Sequence, residues 1–193
     1  MDHLVLVDSV RAVPDDGFRK LVMCGRVLLE EETARSFIEM QQAAAGDGIG
    51  IRAFSGYRSA AYQKELFIRS VCGYISDGVS RSDAEALTAR YLARPGHSEH
   101  QTGLACDICR SDSDDADESF SLTKESLWLN DNCFRFGFIL RYPRMKEHIT
   151  GIAYEPWHYR YVGAAHAADI MNNGITLEEY LYYRELTKQL LNN

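Results

Sequence analysis

No run in this 193-residue chain comes near the roughly 20 consecutive apolar residues that a membrane-spanning helix needs. Basic charge is scarce as well: 21 Lys and Arg stand against 28 Asp and Glu, for a formal net charge of -7. Binding along a phosphate backbone needs a cationic face, so nucleic acid is not expected as a partner. A local cationic pocket for a carboxylate-bearing substrate is still compatible with that balance. The amino terminus lacks the positive charge of an export signal. Met1-Asp2-His3-Leu4-Val5-Leu6-Val7-Asp8 carries an acid there, and its apolar run is short. The expectation is a cytoplasmic protein.

The five cysteines, Cys24, Cys72, Cys106, Cys109 and Cys133, are odd in number and lack the spacing of a disulfide scaffold, which suits reduced thiols. Cys106 and Cys109 form a C-x-x-C pair. On a strand, residues three apart point to opposite faces, and no second pair completes a four-cysteine site. The acidic stretch from Asp112 to Glu118 lacks the turn glycine and closing glutamate of a calcium loop. It reads as a solvated loop bordering a substrate entrance. Repeats and low-complexity linkers are also missing. With 46% hydrophobic residues, the chain is expected to bury one core as a single domain over residues 1–193.

What the chain does hold is a concentrated set of ligating side chains. One stretch runs Ser98-Glu99-His100-Gln101-Thr102-Gly103-Leu104-Ala105-Cys106-Asp107, and a second is Glu155-Pro156-Trp157-His158. Catalytic zinc is commonly held by three nitrogen or oxygen ligands, with the fourth position left to water. His100, Asp107 and His158 supply that set, one zinc per chain. Glu155 supplies a carboxylate to take a proton from the water. A lone Glu-x-x-His arises easily by chance, and a single histidine is more often a hydrogen-bonded structural residue than a ligand. The combined pattern Ser-x-His-x-x-Gly-x-Ala-x-Asp, with Glu-Pro-Trp-His far along the chain, fixes too many positions for that explanation.

The chain resembles the VanY and VanXY zinc D,D-carboxypeptidases and D,D-dipeptidases from about Ser55 to Tyr180. The likeness is carried by Ser-Gly-Tyr-Arg-Ser at 55–59, Pro-Gly-His-Ser-Glu-His-Gln-Thr-Gly-Leu-Ala at 95–105 and Gly-Phe-Ile-Leu-Arg-Tyr-Pro at 137–143. It continues through Ile-Thr-Gly-Ile at 149–152, Glu-Pro-Trp-His-Tyr-Arg-Tyr-Val-Gly at 155–163 and Thr-Leu-Glu-Glu-Tyr at 176–180. The resemblance implies zinc on His100, Asp107 and His158, with Glu155 as catalytic base. By spacing alone Arg58 would be a solvated surface charge. The resemblance instead puts it in the pocket, where a fixed cation can stabilise an oxyanion. It also implies substrate contacts at Gln63 and Ser98, although a loop serine serves equally well in a local turn. Trp157 reads as a pocket wall rather than a reacting group.

The implied activity is removal of C-terminal D-Ala from peptidoglycan precursors, with D-Ala-D-Ala and UDP-muramyl pentapeptide as substrates and a link to glycopeptide resistance. Two alternatives stay open. One is an L,D-carboxypeptidase acting on muropeptides. The other is a zinc-containing binding module without turnover, as in the Hedgehog domains that share the fold. The presence of Glu155 and Arg58 favours an enzyme, since binding alone needs neither.

Short alternating segments and segregated helices predict an α+β fold, a mainly antiparallel sheet flanked by helices, of the Hedgehog and D,D-peptidase type. Strands are expected at 4–8, 49–54, 104–109, 138–142 and 149–154, the last two as an antiparallel pair, with Tyr159, Arg160 and Tyr161 continuing the strand. A turn is expected at Pro14 to Gly17. Helices are expected at 30–45, 60–72, 83–93, 123–136 and 164–172. A last helix follows a capping box at Thr176 and Glu179, and Ser82 and Glu85 form an earlier box. Ala34, Phe37, Ile38, Gln41 and Ala45 are the expected inner face of the first helix. Glu155 and His158 are three apart, so the backbone must bend near Pro156 if both are to reach one site. His97 and His166 fit no ligand position.

Overall fold

The computed structural model describes residues 3–14, 20–113 and 117–192. Residues 15–17 of the expected turn at Pro14 to Gly17, and the centre of the acidic loop, lie outside the described residues. Four strands form the main sheet: β3 (Ile51–Ser55), β4 (Ala105–Arg110), β5 (Phe138–Leu140) and β6 (His158–Tyr161). Their order is β3-β4-β6-β5, and every neighbouring pair is antiparallel. The α+β fold with a mainly antiparallel sheet is therefore as expected.

Ahead of the sheet stands a hairpin that the sequence reading missed. Strands β1 (Leu21–Cys24) and β2 (Val27–Glu30) close over Gly25 and Arg26, with Gly25 at φ 60. These strands are four residues each, too short to show a clear period. Glu30 then caps helix α1 (Glu31–Gly46), accepting from the backbone N–H groups of Glu32 and Thr33. The face α1 buries is Thr33, Ala34, Phe37, Met40 and Ala44, while Ile38 is 40% exposed. The expected inner face was thus rotated, because apolar residues occur on two adjoining stripes of this helix and the sheet selects one.

Helix α2 (Ala60–Ser76) runs past Gly73, whose position opens to free space and imposes no break. Helix α3 (Arg81–Ala89) is capped by Ser80, not Ser82; Ser80 Oγ accepts from Asp83 N at 3.2 Å. Helix α4 (Lys124–Asn132) gives way to a 3-10 turn at Cys133–Phe136, which Gly137 ends at φ 81. The expected strand at 149–154 is absent. Its start forms a short helix, α5 (Glu147–Thr150), and Ala153 N donates to Arg90 O, pinning the segment to the end of α3 rather than to the sheet. The antiparallel partner of β5 is β6 instead. Helices α6 (Ala164–Asn173) and α7 (Leu177–Leu191) follow, and Thr176 and Glu179 make the predicted capping box. Residues 4–8 form no strand. They lie as a strap whose Val5 carbonyl accepts from Arg160 Nη2 at 2.7 Å.

Side chains alternate across a strand, so the sheet has two different faces. Cys106, Ile108, Phe138, Tyr159 and Tyr161 share one core with Phe37 and Met40 of α1. On the other face, Ile139 packs with Val162, Ala167, Ile170 and Leu177. Asp107 and His158 share the face of Ile139 by register. The α1 side is closed by apolar packing, and the opposite side carries the ligating groups. Among the described residues no helix is long and apolar enough to cross a membrane.

Candidate active site

Three adjacent strands deliver the site. Ser55 pairs with Asp107 across β3 and β4, and Asp107 pairs with His158 across β4 and β6. The register shifts between Ala53 and Ser55, a bulge of the kind that re-aims side chains beside functional sites. His100 comes from a 3-10 turn, Glu99–Thr102. Gly103 ends that turn at φ 73, and a Cβ there would stand 3.0 Å from Glu30 N. The turn is thereby pressed against the β1–β2 hairpin.

One ligand atom from each of His100, Asp107 and His158 lies within 4.8 Å of the others, and all three residues are buried. His100 Nε2 is 3.3 Å from Asp107 Oδ2, and His158 Nδ1 is 3.0 Å from Asp107 Oδ1. His100 Nδ1 lies 2.7 Å from Gly56 O, so it carries the proton and leaves Nε2 as the ligating nitrogen. Only glycine fits at 56, since a Cβ would sit 2.4 Å from Leu28 O. Two imidazoles and a carboxylate, buried and already convergent, match the donor set of a catalytic zinc site.

Burial favours uncharged forms, and the site's charges compete with it. Burial pushes Glu155 up to about 8, against the pull of the His158 charge. Burial alone would depress His158, but the hydrogen bond to Asp107 and the neighbouring Glu99 carboxylate prevail and hold it at about 9 without metal. Burial would raise Asp107, yet His100, His158 and Arg58 keep it well below the usual carboxylate range. His100 is lowered by burial.

Glu155 is reached by the bend expected at Pro156. His158 N donates to Glu155 O at 3.2 Å, and Glu155 Oε2 stands 3.7 Å from His158 Nδ1. Arg58 Nη2 donates to Asp107 Oδ2 at 2.6 Å and to Ser55 Oγ at 2.7 Å. Gln63 is fully buried on α2; its Nε2 donates to Ala93 O at 2.7 Å, while Oε1 has no partner among the described residues. Ser98 and Trp157 line the same cavity, of about 200 Å³, together with Phe54, Tyr91 and Tyr142. All eight residues singled out from sequence border this one cavity. His97 and His166 lie elsewhere, bonded to Asp8 O and Tyr180 Oη.

The sequence reading gave no role to Glu99, Arg141 or Arg160. Arg141 and Arg160 both donate to Glu99 Oε1, at 2.8 and 2.6 Å, and all three are buried. A signal was available: Arg141 directly follows the apolar Phe138–Leu140 strand and Arg160 stands between Tyr159 and Tyr161, places where a buried charge must be paired to be tolerated.

A family model described as VanY, D-alanyl-D-alanine carboxypeptidase, matches residues 26–164. The chain belongs to this family. It is 44% identical over 144 residues to a D-alanyl-D-alanine carboxypeptidase of Enterococcus faecalis, covering 74% of this chain and 52% of that protein. It is 38% identical over 160 residues to the bifunctional D-Ala-D-Ala dipeptidase and carboxypeptidase VanXYC of Enterococcus gallinarum, covering 81% and 79%. The chain spans 59%, 52% and 47% of the length of three of the curated relatives it matches, the Enterococcus faecalis protein among them. Among solved structures, a mutant of the vancomycin-resistance D,D-pentapeptidase VanY in complex with Zn(II) superposes with a TM-score of 0.85 at 35% identity, covering 94% of this chain and 99% of that one. VanYB in complex with D-Ala-D-Ala gives 0.85 at 36%, covering 93% and 97%. The L,D-carboxypeptidase LdcB gives 0.81 at 37%, covering 93% and 86%.

Proposed function

We propose that this VanY-family chain is a zinc-dependent D,D-carboxypeptidase that releases C-terminal D-Ala from peptidoglycan precursor peptides, and that it also splits D-Ala-D-Ala. The observation that carries the reading is the convergence of His100, Asp107 and His158 beside a buried Glu155 and a tethered Arg58 in one cavity. His100 Nε2, Asp107 and His158 Nδ1 would hold the ion. Zinc bound there supplies Lewis acidity, acidifying water toward a pKa of about 7 and polarising a carbonyl.

The chain's own residues do the rest. Glu155, shielded from solvent, takes the proton of the attacking water as the C–O bond forms, then hands it to the amine as the C–N bond breaks. Arg58, fixed by Ser55 and lining the same cavity, would stabilise the charge the carbonyl oxygen gains, an effect worth roughly 3 to 4 kcal/mol per donor in comparable sites. Gln63 Oε1 is an unfilled acceptor for a substrate N–H. Trp157 and Ser98 bound the space the substrate would fill.

We also propose that the chain works in the cytoplasm, on UDP-muramyl pentapeptide as well as the free dipeptide. All five cysteines are free thiols, which suits a reducing compartment. The likeness to LdcB sustains one competing reading, an L,D-carboxypeptidase acting on tetrapeptides. A panel of D-Ala-D-Ala, D-Ala-D-Ser, D-Ala-D-Lac, pentapeptide and tetrapeptide separates these readings by amino-acid release with and without chelator. Zinc-dependent release from pentapeptide and dipeptide is expected. Release from tetrapeptide alone would give the L,D reading, and no release from any member would leave a binding module. Fractionation of the native protein between cytosol and envelope tests the location.

A further inference from the structure

We infer that Glu99 is a positioning residue for the metal centre: its Oε2 accepts the Nε2–H of His158 and so fixes Nδ1 as the nitrogen offered to the ion. This rests on the zinc reading above. His158 Nε2 and Glu99 Oε2 face each other at 3.6 Å. Each is buried, and neither has a hydrogen-bond partner among the described residues. A shift of about half an ångström brings the pair into hydrogen-bond range.

The two oxygens of Glu99 are divided between tasks. Oε1 accepts from Arg141 Nε at 2.8 Å and from Arg160 Nη1 at 2.6 Å. Oε2 is left for the imidazole. Both guanidinium groups are themselves anchored: Arg141 forks onto Glu178 of α7 at 2.9 and 2.7 Å, and Arg160 Nη2 donates to His3 O and Val5 O at 2.9 and 2.7 Å. The carboxylate is therefore held from two sides, by the last helix and by the amino-terminal strap.

A carboxylate needed only to neutralise two arginines has no reason to turn its second oxygen toward a ligand ring. An imidazole that coordinates through Nδ1 keeps its proton on Nε2, and a buried N–H without an acceptor is costly. A carboxylate acceptor settles the tautomer and makes the ring a stronger ligand. His100 is held differently, through the neutral carbonyl of Gly56. The Glu99–Thr102 turn thus contributes one ligand and the partner of the other.

The test uses zinc-loaded protein labelled with 15N in its histidines, with zinc affinity read by chelator competition. In the wild type, His158 should carry its proton on Nε2, shifted downfield by the carboxylate, and His100 should carry its proton on Nδ1. Glu99→Gln should weaken zinc binding by about 10- to 100-fold, the range for partners of ligating histidines. The same variant should move the His158 resonance and leave that of His100 in place. A purely structural role would move both rings or neither. Zinc affinity within threefold of wild type together with an unchanged His158 resonance would overturn the inference. Should Glu99→Gln fail to fold, the wild-type spectrum decides, since a zinc-loaded His158 protonated on Nδ1 sinks the proposal alone. A wild type that takes up no zinc sinks the zinc reading as well.

Discussion

Asp107 and His158 are direct cross-strand partners on β4 and β6, with Oδ1 3.0 Å from Nδ1. The convergence of ligands is thus written into strand register. A slip of one residue would turn every side chain of β4 to the other face and carry Asp107 into the α1 core. Asp107 is also the hub of the group, since its Oδ2 meets His100 Nε2 at 3.3 Å and Arg58 Nη2 at 2.6 Å. Asp107→Ala should therefore lose zinc by more than the roughly 100-fold expected for an outer partner. Metal content after dialysis measures this, and full occupancy would remove Asp107 from the ligand set.

Glu155→Gln separates binding from turnover. The substitution keeps the volume of a buried side chain that is 5% exposed but removes the proton acceptor. Zinc content should persist while D-Ala release falls by about 10²- to 10⁴-fold, the usual contribution of a positioned base. Activity near wild type in the metal-loaded variant would transfer the role to another group.

Removing zinc should reverse the way stability depends on pH. Without metal, burial holds Glu155 at about 8, above its ordinary 4.5, and the carboxylates of Asp107 and Glu99 overcome burial to hold His158 at about 9, above 6.5. Both shifts are upward, so both groups stabilise the fold most below their unfolded values, and that stability is lost as pH rises through 8 and 9. The chelated protein should accordingly melt at a lower temperature at pH 9 than at pH 6. Zinc loading should relieve this loss, because ligation needs His158 without its Nδ1 proton and strengthens as that proton leaves. Thermal unfolding across the range checks both forms. A chelated protein whose melting temperature is flat or rising between pH 6 and 9 would contradict the assignment.

The ligating residues were legible in sequence because their chemistry is rare and their spacing is fixed by local structure. Alternation across 104–109 places Asp107 opposite Leu104 and Ile108, and the bend at Pro156 follows from Glu155 and His158 being three apart. Elements decided by distant partners were not legible. Residues 4–8 look like a strand, yet the Val5 carbonyl goes to Arg160, which no local pattern reveals. Residues 149–154 are also expected as a strand, but Ala153 is held by Arg90 far back in the chain. Glu99 was hidden for a related reason. A glutamate in a loop reads as solvated until two buried arginines from β6 and the end of β5 close on it.

Gly56→Ala probes the scaffold of the site without touching a ligand. The new Cβ would stand 2.4 Å from Leu28 O and 3.0 Å from Val27 Cβ, and a strand backbone cannot yield as a side-chain tip can. Tyr57 N donates to that same Leu28 carbonyl at 2.7 Å, so β2 and the segment after β3 would have to separate. Separation moves Gly56 O, the acceptor that orients His100. Overpacking of this kind typically costs about 1 to 3 kcal/mol, and here zinc affinity should fall in parallel. Chemical denaturation of the chelated protein gives the first quantity and chelator competition the second. A variant destabilised to that extent but with wild-type zinc affinity would show that His100 does not depend on Gly56 for its aim.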